Sequence, residues 1–258
     1  MPRDLEAERT FVLGLGEEGT SSSSNADSDE NTSSELPEHL RKAQEKFDLH
    51  PYVRPLTLAD WDSVLKLEEA TFPERERPGR EKKWAYRLAV CSELTLGLFS
   101  TGGPGSDVKG ALTADAARPP DSTKPEKKGV LLAFIVGTKC VSPTVTDASM
   151  EVPLDWKEAP SKNANLGHQE EGSTVALHGL AVLPEYQHKG LGTTILKSYI
   201  QRIKDANVSE RIAIICHEDL IPFYESCGFV AKGKSPVTFG GGDWIDMVLE
   251  FSEIKDDD

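Results

Sequence analysis

The feature that most constrains this chain is the order of three segments between residues 173 and 205: STVALHGLAVLP, EYQHKGLG and TTILKSYIQRIKD. The first is an apolar run long enough for a strand and bounded by polar residues, which reads as a strand buried on both faces. In the third, Ile195, Leu196, Tyr199, Ile200 and Ile203 share one helical face. The turn between them carries His188, Lys189, Gly190 and Gly192. Glycines there permit unusual dihedrals and close approach of another molecule. The first N–H groups of the following helix lack intrahelical acceptors, and the helix dipole favours an anion at that end. Strand, glycine turn and helix therefore predict an anion site, phosphate above all; a simple turn is the plainer alternative. The spacing GxxxxGK[ST] is absent. Gly190-Leu191-Gly192 is followed by Thr193, Thr194 and Ile195 rather than by the third glycine of a dinucleotide fingerprint. Nucleotide hydrolysis and hydride transfer lose weight accordingly.

The flanking sequence alternates helix and strand patterns. YVRPLT from Tyr52 reads as a short strand. LADWDSVLKLEEATF reads as a helix capped by Thr57 or Asp60 and stopped at Pro73 and Pro78-Gly79, and EKKWAYRLAVC as a second helix. ELTLGLFS alternates as a strand, VLLAFIVGTKC is a buried strand, RIAIICHE is another, DLIPFYESCG is a helix, and FVAKGKSPVTF with DWIDMVLEF closes the chain as a strand pair. The expected fold class is α/β (α+β): one domain over residues 51–252, with polar insertions at about 101–128 and 141–173. Residues 16–35 are rich in Ser, Asp and Glu. They predict a disordered acidic extension over residues 1–50, in which 36–49 could form a short helix; residues 253–258 are an acidic tail.

Charge narrows the partners. The net charge is −14, of which residues 1–35 carry half. An acidic chain does not suit nucleic acid, whereas small cationic amines fit its sign. No apolar run spans a bilayer and no apolar leader opens the chain. Cys91, Cys140, Cys216 and Cys227 are scattered, which predicts reduced thiols, no metal site and a cytoplasmic protein. A single domain with a one-sided cleft suggests a monomer.

In its context the turn resembles a known family. HGLAVLPEYQHKGLGTTIL is similar to the acetyl-CoA signature of the GNAT acyltransferases, [QR]xxGx[GA] after a buried strand. CHEDLIPFYESCGF resembles the family's last helix. Together with CSELTLGLF and LLAFIVG, these blocks resemble the serotonin (arylalkylamine) N-acetyltransferases and their fungal relatives, including polyamine acetyltransferases, over roughly residues 52–251. The resemblance implies a mixed, largely antiparallel sheet with helices on both faces, and direct transfer of acetyl from acetyl-CoA to a small-molecule amine. It implies that Leu180, Ala181 and Val182 bond the pantetheine arm, that an N–H near Leu180 faces the thioester oxygen, and that Gln187, His188, Lys189, Gly190, Leu191, Gly192 and Thr193 hold the pyrophosphate.

Such a transfer needs a base for the ammonium, donors for the oxyanion and a proton for the thiolate. Tyr224 in PFYE matches the tyrosine set beside the CoA sulfur. His178 matches the second histidine of an HxH relay whose first position is Ala176 here. FPERER resembles the segment in which a glutamate after the turn serves as base, which points to Glu76; Glu68 and Glu69 read equally as an exposed acidic surface. Cys216 could be read as a nucleophile, yet direct transfer and its buried-strand pattern disfavour this, and the role of His217 stays open. For the acceptor, Phe72, Leu94 and Leu96 could wall an aromatic amine, while Glu74, Glu76 and Glu93 could serve a polyamine. A protein amine is a further alternative, as is an idle CoA-binding module motivated by Ala176.

Overall fold

The computed structural model describes residues 51–102, 111–112, 128–158, 163 and 165–253. The expected N-terminal extension, its short helix, most of the first insertion and residues 254–258 of the tail lie outside them.

The chain opens with β1 (Pro51–Arg54), and a 3-10 turn, Leu58–Asp60, leads into α1 (Trp61–Thr71). The two cap candidates divide one task. Thr57 caps the turn, and Asp60 sits at its third position as the reciprocal partner. The Asp60 carboxylate is fully buried. It accepts from the Thr57 N–H at 2.9 Å and takes a two-pronged contact from Arg54 at 2.7 Å on each oxygen, the geometry in which a buried charge is tolerated. A 3-10 turn, Glu74–Glu76, follows, then α2 (Arg80–Val90), β2 (Thr95–Gly102), β3 (Ala111–Leu112) and β4 (Lys128–Cys140). The second polar connection is not wholly irregular. It contains a four-residue helix, α3 (Asp147–Met150), closed by a Thr146–Ser149 capping box. Then come β5 (Thr174–Val182), α4 (Leu191–Ala206), β6 (Arg211–Cys216), α5 (Ile221–Glu225), β7 (Val230–Lys234) and β8 (Ile245–Glu250).

The strands form one sheet in the order β1-β2-β4-β5-β6-β8-β7, with β3 also beside β4. Every pairing is antiparallel except β5 with β6. The mixed, largely antiparallel sheet expected from sequence is therefore present. Helices cover both faces. On one, Trp84 of α2 meets Phe134 of β4 edge-on, with ring centroids 4.9 Å apart. On the other, reached by the alternate residues of β4, the Tyr199 hydroxyl of α4 approaches Gly137, and Gly192 of α4 lies against Val182 of β5. Tyr199 is fully buried and donates to the Leu94 carbonyl at 2.9 Å, which fastens α4 to the start of β2.

Candidate functional site

Two departures from regular pairing at β5 build the site. The first is a bulge. Val136 pairs with Gly179 and Gly137 with Leu177, so His178 is the extra residue. Bulges re-aim side chains. Here the imidazole reaches Thr138, paired to Ala176, and Nε2 lies 2.7 Å from its Oγ1. The second is an opening. Parallel pairing of β5 with β6 stops at Leu177–Ile214, although the strands continue to Val182 and Cys216. On its other edge β5 stays attached to β4 as far as Leu183, whose N–H bonds the Leu132 carbonyl at 2.9 Å. Amide direction alternates along a strand. With Leu183 pointing at β4, the N–H and C=O of Leu180 and Val182 point into the gap. The Val182 carbonyl there accepts the side-chain amide of Gln187 at 3.0 Å, while Leu180 lies beyond the last β5–β6 pair.

One end of the gap is the glycine turn. His188 and Gly190 both take left-handed dihedrals, with φ of 57° and 85°. The Thr194 N–H closes on the Gly190 carbonyl. The N–H groups of Leu191, Gly192 and Thr193 have no backbone acceptor among the described residues, so this end of α4 offers a cluster of free donors. Lys189 lies over the Tyr186 ring, its ammonium 5.2 Å from the centroid, and so keeps its charge on the turn. These groups fit a pyrophosphate: free donors and the Lys189 charge lie on one turn, and Gly192 adds no side chain to it.

Alternation sorts the remaining candidates onto two sides of the sheet. On the α4 side stand Leu180, Val182, Cys216 and Tyr224; α5 is placed there by Phe223, whose ring would be 3.6 Å from a Cβ on Gly192. Tyr224 is buried, meeting Phe223 and Phe229 edge-on at 4.9 and 5.7 Å. Its hydroxyl has no hydrogen-bond partner among the described residues and is not sealed from solvent. Burial raises its pKa, with the nearby Cys216 and Cys227 adding to the effect, so it stays a neutral phenol and a donor. Burial also pushes the Cys216 thiol up to about 11, which leaves little nucleophilic thiolate at neutral pH. The four cysteines are free.

The opposite side holds His178, Glu76 and His217. Burial, followed by the charges of Arg87 and Lys83, pushes His178 well below the usual histidine range. It is a neutral imidazole at pH 7, and its Nδ1 is buried without a partner. Thr138 Oγ1 also lies 3.4 Å from the Ser149 carbonyl. The network is best satisfied when the hydroxyl donates to Ser149 and accepts from Nε2–H, which leaves a bare lone pair on Nδ1. Ala176 shares this side but is fully buried among Cys140, Val145 and Trp244 in a small second core, so the missing first histidine is replaced by packing. Glu76 ends the turn after α1, with its side chain only 11% exposed. Its Oε1 receives His217 Nε2 at 3.4 Å and Arg75 Nε at 3.5 Å. His217 directly follows β6, which ends at Cys216, beyond the last β5–β6 pair. Its ring stacks on Trp244 at 4.1 Å. Sequence reasoning left His217 without a role, since no local signal ties it to a residue 141 positions away.

The proposed acceptor wall is placed differently. Phe72 caps α1, half-buried, a few residues before Glu76. Leu94 and Leu96 are core residues, 2% exposed each, and Glu93 is exposed with its carbonyl bound to Arg202 of α4. No contact brings these three to Glu76 or His178 among the described residues. The aromatic groups beside Glu76 and His217 are instead Trp244 and Phe239, and Lys83 lies over the Phe239 ring at 4.4 Å.

Residues 159–251 match the family model "Acetyltransferase (GNAT) domain". Over those residues the chain carries an acetyltransferase domain of the GNAT type. It is the domain of an N-acetyltransferase: the chain is 28% identical over 196 residues to the serotonin N-acetyltransferase of Mesocricetus auratus, covering 75% of this chain and 74% of that one. It is 28% identical over 167 residues to that of Macaca mulatta, covering 65% of this chain and only 58% of the other. Among solved structures, the loading GNATL domain of CurA from Lyngbya majuscula superposes with a TM-score of 0.55 at 13% identity, over 80% of this chain and all of that one. That likeness concerns the fold alone.

Proposed function

We propose that this protein transfers acetyl from acetyl-CoA directly to the primary amine of a small arylalkylamine. The observation that carries the reading is the opening between β5 and β6. It presents the Leu180 amide and the free first turn of α4 on one side, and a neutral His178 with the Glu76 carboxylate on the other. Acetyl-CoA supplies a thioester that a neutral amine can attack. The first-turn N–H groups of Leu191, Gly192 and Thr193, with Lys189, hold its pyrophosphate, and the Leu180–Val182 edge takes the pantetheine arm. The acceptor arrives from the α2 side. Glu76 draws the ammonium and takes its proton, and the neutral His178, whose Nδ1 is buried, accepts a hydrogen bond on that path once acceptor binding opens a way to it. As the C–N bond forms, the Leu180 N–H stabilises the oxyanion. As the C–S bond breaks, the Tyr224 phenol gives the sulfur its proton and is refilled from solvent.

Phe239 and Trp244 beside Glu76 favour an aromatic amine over a polyamine, since Glu93 does not join a line of carboxylates there. The burial of Ala176 favours one rival, a module that binds CoA without turnover. We place the protein in the cytoplasm, where its four thiols stay reduced, and as a monomer. Calorimetry with acetyl-CoA followed by turnover on tryptamine, phenylethylamine, spermidine and a histone peptide tests the reaction, its substrate class and the rival. The expected result is binding, with turnover highest on the two aromatic amines. No acetyl-CoA binding overturns the proposal, binding without turnover supports the rival, and a preference for spermidine or the peptide overturns the substrate class.

A further inference from the structure

We propose that His217 is the positioning residue of the amine-side base: its ring N–H holds one oxygen of Glu76 and thereby presents the other to the acceptor. This rests on the acetyltransferase reading above. The geometry makes the two carboxylate oxygens unequal. Oε1 receives both His217 Nε2 at 3.4 Å and Arg75 Nε at 3.5 Å. Oε2 has no partner among the described residues and is not sealed off, although the side chain as a whole is only 11% exposed. A carboxylate tethered through one oxygen keeps a fixed rotamer and a free lone pair, which a base needs if its proton transfer is to be aligned.

The tether is itself held. The His217 ring lies against Trp244 at 4.1 Å and an interplanar angle of 26°. The Trp244 indole N–H is bound to the Phe239 carbonyl at 2.7 Å. The Phe239 segment is anchored in turn by Asp147 of α3, whose carboxylate accepts the N–H groups of Thr238 and Phe239 at 3.1 Å and the Thr238 hydroxyl at 2.9 Å. Gly240 of the same segment lies so close to Glu76 that a Cβ would come within 3.1 Å of its Cγ. The β7–β8 connection therefore confines Glu76 and the ring that steers it.

Three variants test this in steady-state kinetics with tryptamine, each checked for acetyl-CoA affinity by calorimetry. His217→Phe keeps a ring on Trp244 and loses the donor; kcat falls about 10-fold or more while KM for acetyl-CoA holds. His217→Gln keeps an N–H donor near the Nε2 position and stays within about threefold of wild type. His217→Ala falls like the Phe variant and regains activity when imidazole is added. A purely packing role predicts the reverse order, with Phe best. Equal loss in Phe and Gln, no loss in Phe, or no imidazole rescue of the Ala variant overturns the positioning role while wild-type turnover stands. Should the Phe variant fail to bind acetyl-CoA, the Ala variant with and without imidazole decides. A wild-type protein that binds acetyl-CoA and acetylates no amine overturns the acetyltransferase reading first, and this proposal with it.

Discussion

Gly192 separates the stability of this fold from its binding of acetyl-CoA. It is the second residue of α4, and its φ is not in the left-handed region. A Cβ built there would lie 3.6 Å from two ring atoms of Phe223 and 3.7 Å from a Val182 methyl, which are ordinary contact distances. Alanine therefore seats without strain, and by reducing the freedom of the unfolded chain it adds up to about 1 kcal/mol. For a domain of this size that raises Tm by about 2–4 °C. The same methyl adds bulk to the first turn of the helix, whose Leu191, Gly192 and Thr193 N–H groups have no backbone acceptor among the described residues. Loss of one hydrogen bond to a charged phosphate costs about 1.5–3 kcal/mol, or about 10- to 100-fold in Kd. Gly192→Ala should thus melt at or above the wild-type temperature in ligand-free thermal scans and bind acetyl-CoA about 10- to 100-fold more weakly by calorimetry. Gly190→Ala is the converse control. Its φ of 85° makes any side chain costly, by about 1–2 kcal/mol, although nothing lies within 4 Å of the added atom. An unchanged Kd in Gly192→Ala, with Tm held or raised, would refute the assignment of this helix end to the pyrophosphate.

Other consequences are simpler. Tyr224→Phe removes a hydroxyl with no partner among the described residues, so Tm should stay near wild type while kcat falls about 100-fold or more; unchanged kcat would remove Tyr224 from the reaction. His178 is neutral in the fold and titrates near 6.5 when unfolded, so the unfolded chain gains the proton first as pH falls. Its share of stability is therefore present above about 6.5 and declines below, by about 1.4 kcal/mol between pH 7.5 and 5.5. Urea unfolding of wild type and His178→Gln at both values should show this extra loss in wild type only. Thr138→Val leaves the buried His178 Nε2 unpaired and should cost about 1–3 kcal/mol in the same assay.

What could be read from the sequence follows the range of the interactions involved. The anion turn and α4 were legible because glycines, free N–H groups and a 3.6-residue stripe are local. The strand before them was legible as an apolar run, but the bulge at His178 and the early end of pairing at Leu177 depend on β4 and β6 and leave no local mark. Helix α3 was missed inside the second polar connection, because four residues hold less than two turns of pattern; its signal was the capping pair Thr146 and Ser149. By residue type Leu94 and Leu96 could wall an aromatic amine, and ELTLGLFS alternates like a strand. In the fold both faces of β2 are covered, so alternation reported pleat and not exposure. The Glu76–His217 contact was invisible, since the two residues lie 141 positions apart and no local pattern links them.

The substitution at Ala176 is the hardest test of how far the family pattern carries. If this acceptor side were a degraded two-histidine relay, restoring the first histidine should improve it. The structure argues otherwise. Ala176 is fully buried and shares its cluster with Cys140, Val145, Val237 and Trp244, and that same Trp244 stacks on His217. An imidazole at this position has no open volume, must displace Trp244, and brings a polar ring into an apolar cluster. Overpacking alone costs about 1–3 kcal/mol, and an unpaired polar group adds about 1–3 kcal/mol. Displacing Trp244 would also release the ring that holds Glu76. Ala176→His should therefore lower Tm and lower kcat together, with the acetyl-CoA side of the gap intact by calorimetry. A variant that folds as well as wild type and turns over faster would mean that the proton path still runs through the two-histidine position, and that the Glu76–His217 pair is incidental to it.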